Sequence, residues 1–479
     1  MSLKNKKNTF IRILSITLVF SFFCSIPVQA IDYKKEAQER KSLEIESNLY
    51  DNWPLGPAIG AQAAILMDAN TGSILYAKNI HEQLYPASIT KLLTTYIAMN
   101  ECELDEMVTF SENAVYSIKW WEDANMGVYP GSCLTMEEVL YGILVGSANE
   151  AAYAVAEHIS GNLENFAILM NKTAKELGCK NSNFVTPNGI HDKNHYTTAY
   201  DIALIAKAFF ANDTLAKMSS TTRFDVPVTE NQTREGIILN AKSLLLPGKT
   251  YAYEPLIGSK TGYTDYARQT LVSCAEKNGM KLICVILKEE APAQYTDTIE
   301  LFNYGFENFS TLYLDEATSP YSIDNHFFTT DIDLLGSSKT ILSLDKEDYI
   351  ILPNTISFEE LISKVSYDEK NESSVACINY YYKNYLLGKI DVKLDIEEPL
   401  LFDFGNQKDH NSDIVKEDTQ NTIFINVFHI LLGFIIITVF FSIVFSLQSL
   451  SKNKRIAKKR KNKLRRTILH GNHWDINRF

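Results

Sequence analysis

The chain has 479 residues, of which 46% are hydrophobic and 22% charged, enough for two or three domains with sizeable cores. Its 58 Asp and Glu outnumber 46 Lys and Arg, and the imbalance is concentrated: residues 31–426 hold 57 acidic side chains against 31 basic ones. So acidic a body excludes nucleic acid as a partner, because it repels phosphate and gains nothing from counterion release; the basic ends call for a membrane instead.

The chain opens with an export signal. Lys4, Lys6, Lys7 and Arg12 precede the apolar stretch 13–27, and Val28-Gln29-Ala30 offers small residues for cleavage. Residues 1–30 therefore read as a signal peptide cut after Ala30. Residues 31–60 form a polar lead-in. Two apolar runs, Ala61 to Asp68 and Ser73 to Lys78, flank Asn70-Thr71-Gly72 and predict a hairpin. From Ser88 to Asn100 the apolar positions Leu92, Leu93, Tyr96 and Ile97 take helical spacing, and Pro86 suits a chain entering a helix. Thr135-Met136-Glu137-Glu138 is a capping box that opens another helix. Further helices are expected over 149–160, 162–177 and 199–211. Asn278-Gly279 then sets the turn of a second hairpin over 269–288. Strands bracket a helical block, which predicts an α/β domain over 61–300 with strands from both ends in one sheet.

After about residue 310 the texture changes to short β-type runs, such as Tyr349 to Leu352 and Ala376 to Tyr382, so 310–398 reads as a small β-rich domain. Residues 399–422 form a polar linker. No Asp, Glu, Lys or Arg occurs from Thr419 to Ser451, and the apolar segment 423–447 is long enough to span a bilayer of ~30 Å as a transmembrane helix. Ten Lys and Arg follow between Lys452 and Arg466, which makes 448–479 a basic cytoplasmic tail by the positive-inside rule. Signal and anchor give one topology: a single pass through the cell membrane, with the body outside.

Removing the signal leaves six cysteines, Cys102, Cys133, Cys179, Cys274, Cys284 and Cys377, whose spacing supports no disulfide framework. In the second hairpin Cys274 should face Ile283 and Ser273 should face Cys284, so the two thiols point to opposite faces and no bridge is expected. Cys and His show no metal-ligand spacing, and neither metal nor cofactor is expected.

Three short motifs carry chemistry. In Ser88-Ile89-Thr90-Lys91, positions i and i+3 at a helix start share a face, so the Lys91 amine can reach the Ser88 hydroxyl. Serine becomes a nucleophile when a neighbouring base takes its proton, and lysine can serve if burial beside another cation lowers its pKa. The helix N-terminus also aims backbone N–H groups where an oxyanion could develop. Ser147-Ala148-Asn149 sets a hydroxyl and a carboxamide between two helices, where they can relay a proton and orient an amide. Lys260-Thr261-Gly262, before Tyr263, places a cation and a hydroxyl on a strand edge able to hold a terminal carboxylate, with glycine leaving room for a substrate backbone. Each motif alone is common; the three together in this order are the set described for penicillin-binding proteins and β-lactamases.

Over about Ala61 to Leu287 the sequence resembles the low-molecular-mass penicillin-binding proteins, the D-alanyl-D-alanine carboxypeptidases of peptidase family S11. Tyr85-Pro86-Ala87-Ser88-Ile89-Thr90-Lys91-Leu92-Leu93-Thr94 looks like the family's active-site helix, and Gly146-Ser147-Ala148-Asn149-Glu150-Ala151-Ala152 like its second motif. Phe184-Val185-Thr186-Pro187-Asn188-Gly189 and His195-Tyr196-Thr197-Thr198-Ala199-Tyr200-Asp201 resemble its middle segment, and Ser259-Lys260-Thr261-Gly262-Tyr263-Thr264 completes the set. The resemblance implies a β-lactamase/penicillin-binding-protein-like fold, an antiparallel sheet flanked by helices. It implies acylation of Ser88 by the penultimate D-alanine of a peptidoglycan stem peptide ending in D-Ala-D-Ala, then hydrolysis, with β-lactam antibiotics as covalent inhibitors. Lys91 would be the base, Ser147 would pass the proton to the leaving amine, and Asn149 would orient the acyl group. Lys260 and Thr261 would hold the terminal carboxylate, and the Ser88 and Tyr263 amides, beside Gly262, would bind the oxyanion. His191 and His195 are expected to be structural.

Two departures stand out. The 310–398 segment is only loosely similar to the family's small C-terminal domain: Tyr385-Leu386-Leu387-Gly388-Lys389-Ile390 resembles a glycine-containing strand, without the usual proline-bearing approach. Many members also end in a helix lying on the membrane, whereas this chain should span it. A class A β-lactamase is disfavoured, since Glu235-Gly236-Ile237-Ile238-Leu239-Asn240 is one residue too long for the deacylating Glu-x-x-Leu-Asn element. D,D-endopeptidase action on cross-links, or a catalytically silent penicillin-binding sensor, are the alternatives; the tail beyond the membrane helix is too short for a sizeable signalling domain.

Overall fold

Turn chemistry and caps build the elements in chain order. The structure, a computed structural model, describes residues 32–227, 236–314, 342–344, 348–367 and 374–394. Helix α1 (Tyr33–Arg40) is followed by the hairpin β1 (Ala63–Asp68) and β2 (Ile74–Lys78), and a 3-10 turn (Ala87–Thr90) runs directly into α2 (Lys91–Glu101). Next come β3 (Met107–Thr109), α3 (Glu112–Tyr116), β4 (Cys133–Thr135) and the helical block α4 (Met136–Leu144), α5 (Asn149–Ser160), α6 (Leu163–Glu176), α7 (Ala199–Phe210) and α8 (Asp213–Ser220). Strands β5 (Arg223–Asp225), β6 (Ile238–Asn240), β7 (Leu256–Thr264), β8 (Arg268–Lys277) and β9 (Met280–Glu289) lead to α9 (Ala293–Asn308). The remaining strands are β10 (Phe309–Tyr313), β11 (Leu342–Leu344), β12 (Tyr349–Pro353), β13 (Ile362–Ser366), β14 (Ser374–Tyr382) and β15 (Tyr385–Leu394). The predicted signal peptide, linker, membrane helix and tail lie outside the described residues; among those described, no helix is long and apolar enough to cross a membrane.

The caps explain where helices start. Thr135 and Glu138 close the capping box on α4, and Thr198 Oγ1 accepts from Asp201 N at 3.1 Å to start α7. The main sheet is antiparallel in the order β2-β1-β9-β8-β7, so the first hairpin of the chain pairs with the strand that ends the second. Asn278 and Gly279 both adopt positive φ at the two-residue turn between β8 and β9. The register there pairs Cys274 with Ile283 and Ser273 with Cys284, as the turn dictates. The two thiols enter different cores and stay free.

Both faces of this sheet are covered. One buries Ile65, Met67, Val272 and Val285 against the helical block, including Leu93 and Ile97 of α2. The other buries Leu66, Leu271, Leu282 and Ile286 against Leu301 and Phe302 of α9. Helix α9 has no sequence signal of comparable strength, because Tyr, Thr and Ile dilute its helical preference; it forms because a face with Tyr295, Thr298, Leu301, Phe302 and Gly305 packs on the sheet.

The lead-in is also structured. Arg40, at the end of α1, is buried; its Nε donates to Gly60 O at 2.7 Å and its guanidinium lies 3.9 Å from Glu289. Trp53 is buried beneath β2 and donates to Leu75 O at 3.0 Å. These are isolated residues in a charged run, which is why the segment reads as polar. Downstream, β11-β15-β14-β13 form a four-stranded sheet and β10 pairs with β12. Tyr349 on β12 reaches back to the first hairpin, donating to Asp68 Oδ2 at 3.1 Å and accepting from Asn70 at 2.9 Å.

Candidate active site

The three motifs converge on one cleft of about 520 Å3, whose lining includes Ser88, Ser147, Asn149, Thr261, Gly262 and Tyr263. Ser88 sits in the 3-10 turn that feeds α2, and Lys91 is the first residue of the helix. Lys91 is fully buried and its Nζ lies 2.9 Å from Ser88 Oγ. The same nitrogen donates to Asn149 Oδ1 at 2.6 Å and to the Ser147 carbonyl at 3.0 Å, with Ser147 Oγ at 3.5 Å. Burial, and then the charge of Lys260, hold the Lys91 pKa well below the usual lysine value. A neutral amine has a lone pair that can take the serine proton, which is the contact a serine nucleophile requires.

Ser147 joins α4 to α5 in a left-handed conformation, φ 59°, unusual for a residue with a side chain. That backbone turns both its carbonyl and its hydroxyl toward the lysines. Ser147 Oγ accepts from Lys260 Nζ at 2.9 Å, so the hydroxyl lies between the two lysine amines. Lys260 is almost fully buried, and burial, with Lys242 adding repulsion, pushes its pKa down to about 7. Beside Asn149, Glu150 is buried and holds the 126–127 segment, accepting from Met126 N at 2.7 Å.

Lys260, Thr261 and Gly262 lie on β7, the open edge of the sheet. A side chain at Gly262 would put its Cβ 2.8 Å from Ser88 N and 3.1 Å from Ala87 Cβ, so only glycine lets the strand approach Ser88 this closely. Gly189 packs on the opposite side: its φ is +80° and a Cβ there would overlap the Ala87 carbonyl. The start of α2 is therefore wedged between two glycine backbones. Thr270 Oγ1 donates to Pro86 O at 2.9 Å and tightens the same joint. The Tyr263 side chain is half-exposed, and its hydroxyl donates to Asp265 at 2.9 Å and accepts from Arg268 at 3.2 Å.

All eight residues singled out in the sequence, Ser88, Lys91, Ser147, Asn149, Lys260, Thr261, Gly262 and Tyr263, thus meet at one place. His195 makes no hydrogen bond to these eight residues. Its Nδ1 accepts from the Val185 and Thr186 amides at 3.0 and 3.2 Å, which leaves the proton on Nε2 to donate to Thr90 at 2.8 Å. Burial lowers its pKa to about 4, so it is a neutral tie between the middle segment and α2. His191 stacks on Tyr266 at 3.9 Å in the cleft wall. Lys242 and Asp123 also line the cleft, and no local motif distinguishes them in the sequence.

The D-alanyl-D-alanine carboxypeptidase profile of peptidase family S11 matches residues 52–291, half of the chain. The chain belongs to that family. Among curated proteins, the D-alanyl-D-alanine carboxypeptidases DacF of Bacillus subtilis and DacA of Haemophilus influenzae are 33% and 34% identical over 52% and 54% of this chain. The matches span 63% and 65% of those relatives' own length. Among solved structures, penicillin-binding protein 5 from Haemophilus influenzae superposes with a TM-score of 0.55 at 27% identity, covering 71% of this chain and 98% of that one. The S11 match ends before α9, whereas the structural likeness is broader and supports the penicillin-binding-protein-like α/β fold. Within an S11 chain, the buried Lys91 and Lys260 and the paired glycines account for three segments far apart in sequence being held to within hydrogen-bond distance.

Proposed function

We propose that the protein is an exported, membrane-anchored serine D-alanyl-D-alanine carboxypeptidase that trims peptidoglycan stem pentapeptides and is acylated by β-lactams. The observation that carries the reading is the lone-pair donor poised on the nucleophile: Lys91 Nζ, 2.9 Å from Ser88 Oγ, with its pKa depressed. The substrate's terminal carboxylate would meet Lys260 and Thr261, and its backbone would lie along the open edge of β7. Ser88 Oγ gives its proton to Lys91 and attacks the penultimate D-alanine carbonyl. The oxyanion forms against the Ser88 and Tyr263 amides, and the C–N bond then breaks. Ser147 Oγ hands a proton to the departing D-alanine amine and is reprotonated from the lysines that flank it. Asn149 holds the acyl group while water releases it and restores Ser88. The signal-like sequence at 1–30, the apolar segment 423–447 and the basic run at 448–479 favour a single-pass anchor with residues 61–300 and 310–398 outside the cell.

The test uses the full chain with a pentapeptide ending in D-Ala-D-Ala and with a cross-linked dimer, following free D-alanine by amino-acid analysis. Release from the pentapeptide and loss of both release and penicillin labelling in Ser88→Ala are expected. Labelling of Ser88 without D-alanine release from either substrate would overturn the enzyme reading in favour of a sensor. Release from the dimer alone would assign endopeptidase action instead.

A further inference from the structure

Away from the cleft, Cys102, Glu106 and His158 each bring one ligand atom into a group whose members all lie within 4.8 Å of one another. We infer that these three side chains form a binding site for a divalent cation of the zinc class. A thiol, an imidazole and a carboxylate together are the donor set such a cation selects, with a fourth position left for water. Ligand atoms at about 2.0–2.3 Å from one Zn2+ stand roughly 3.3–3.8 Å apart. The longest separation therefore has to close by up to roughly 1 Å and the His158–Glu106 pair, 2.9 Å apart, to open by roughly half an ångström, within reach of side-chain rotations at half-exposed positions. Sequence spacing does not reveal the site, because His158 follows the other two ligands by more than fifty residues and sits on a different helix.

Three further observations favour a cation here. His158 Nε2 and Glu106 Oε2 are already 2.9 Å apart, and Glu106 Oε1 accepts from Glu103 N at 2.7 Å, which fixes the carboxylate beside the imidazole. The surrounding charge is negative: from Leu92 to Ile118 there are five acidic residues and no Lys or Arg, and α5 has none either. Met99 to Glu106 also line a surface recess of about 460 Å3, which gives the ion a way in.

The position gives the ion a use. Cys102 caps the C-terminus of α2, whose first residue is Lys91, and His158 lies in the last turn of α5, whose first residue is Asn149. A metal bound there would pin the far ends of the two helices whose near ends hold the Lys91–Asn149 contact. The inference is independent of the reaction assigned to Ser88.

The full chain, stripped with a chelator, would be titrated with Zn2+ and Co2+. One Zn2+ per chain by elemental analysis is expected, together with a thiolate-to-metal absorption band in the Co2+ form and a higher melting temperature with Zn2+. Cys102→Ser should abolish the band, and His158→Gln should weaken binding at least tenfold. Cys133→Ser, which changes the other half-exposed thiol, should leave both unchanged. Circular dichroism checks that each variant is folded; if Cys102→Ser is not, His158→Gln carries the test by affinity. A band that survives Cys102→Ser, an affinity unchanged in His158→Gln, or no Zn2+ retained by the wild-type chain would overturn the site.

Discussion

At the scale of single residues, the proposed reaction requires the two buried lysines to hold different protonation states. Lys91 works as a base only when neutral, whereas Lys260 draws a carboxylate only when charged. Burial lowers both pKa values, and the charge of Lys260 adds to the lowering of Lys91, so the active form has one proton on Lys260 and none on Lys91. Acylation by penicillin should therefore rise with pH as Lys91 deprotonates, and fall again as free Lys260 loses its proton near its depressed value of about 7. Lys260→Arg stays charged throughout this range, so the alkaline limb should vanish while the acidic limb remains, at a cost of roughly 10–100-fold in rate from the changed geometry. A pH series of second-order acylation constants separates the outcomes, and an alkaline limb unchanged in Lys260→Arg would assign it elsewhere. Folding stability has its own dependence on the same group. Between about 7 and the ordinary lysine value of roughly 10.4 the unfolded chain holds the extra proton, so the burial cost of Lys260 fades as pH rises across that window.

At the scale of elements, the joint between β7 and the start of α2 sets the site. Gly262→Ala places a methyl group 2.8 Å from Ser88 N, so the strand must retreat. The expected cost is about 1–3 kcal/mol of stability and a loss of roughly 100-fold in acylation, since misplacement by an ångström is enough. Stopped-flow labelling with a fluorescent penicillin reads the rate and a thermal melt reads the stability; wild-type values in both would mean the strand stands further from Ser88. The elements on either side of this joint were legible because their signals are local. The Asn278-Gly279 turn fixes the β8–β9 register, and the spacing of Ser88 and Lys91 fixes their contact. The left-handed backbone at Ser147 and the role of Lys242 were not legible, because both depend on what packs around them. Helix α9 was missed for the same reason: its residues are ordered by the sheet they cover rather than by their own preference.

At the scale of the whole molecule, the stretch before β1 ties distant parts of the chain together. Trp53 donates to Leu75 O on β2 and meets Phe309, the first residue of β10, edge-on at 5.4 Å and Tyr385 of β15 at a tilt at 5.0 Å. Tyr50 meets Tyr385 edge-on at 4.4 Å, and Tyr382 donates to the Asp51 carbonyl at 3.0 Å. The main sheet, α9 and the β14–β15 hairpin thus share one aromatic cluster at the end of the lead-in. Such a cluster couples the unfolding of the parts it joins, because none can leave without exposing the others' apolar surface. Trp53→Ala should remove about 3–5 kcal/mol and, more tellingly, divide the event. Calorimetry of the wild-type chain should show one transition for these parts, and the variant should show two, with the β13–β15 region melting first. Ser88 and its partners lie outside the cluster, so penicillin acylation at 25 °C should stay within about twofold of wild type. A variant that still unfolds in one transition would show that the coupling runs through β10 and Tyr349 instead, and the matching change, Tyr349→Phe, would then be the one to separate the two.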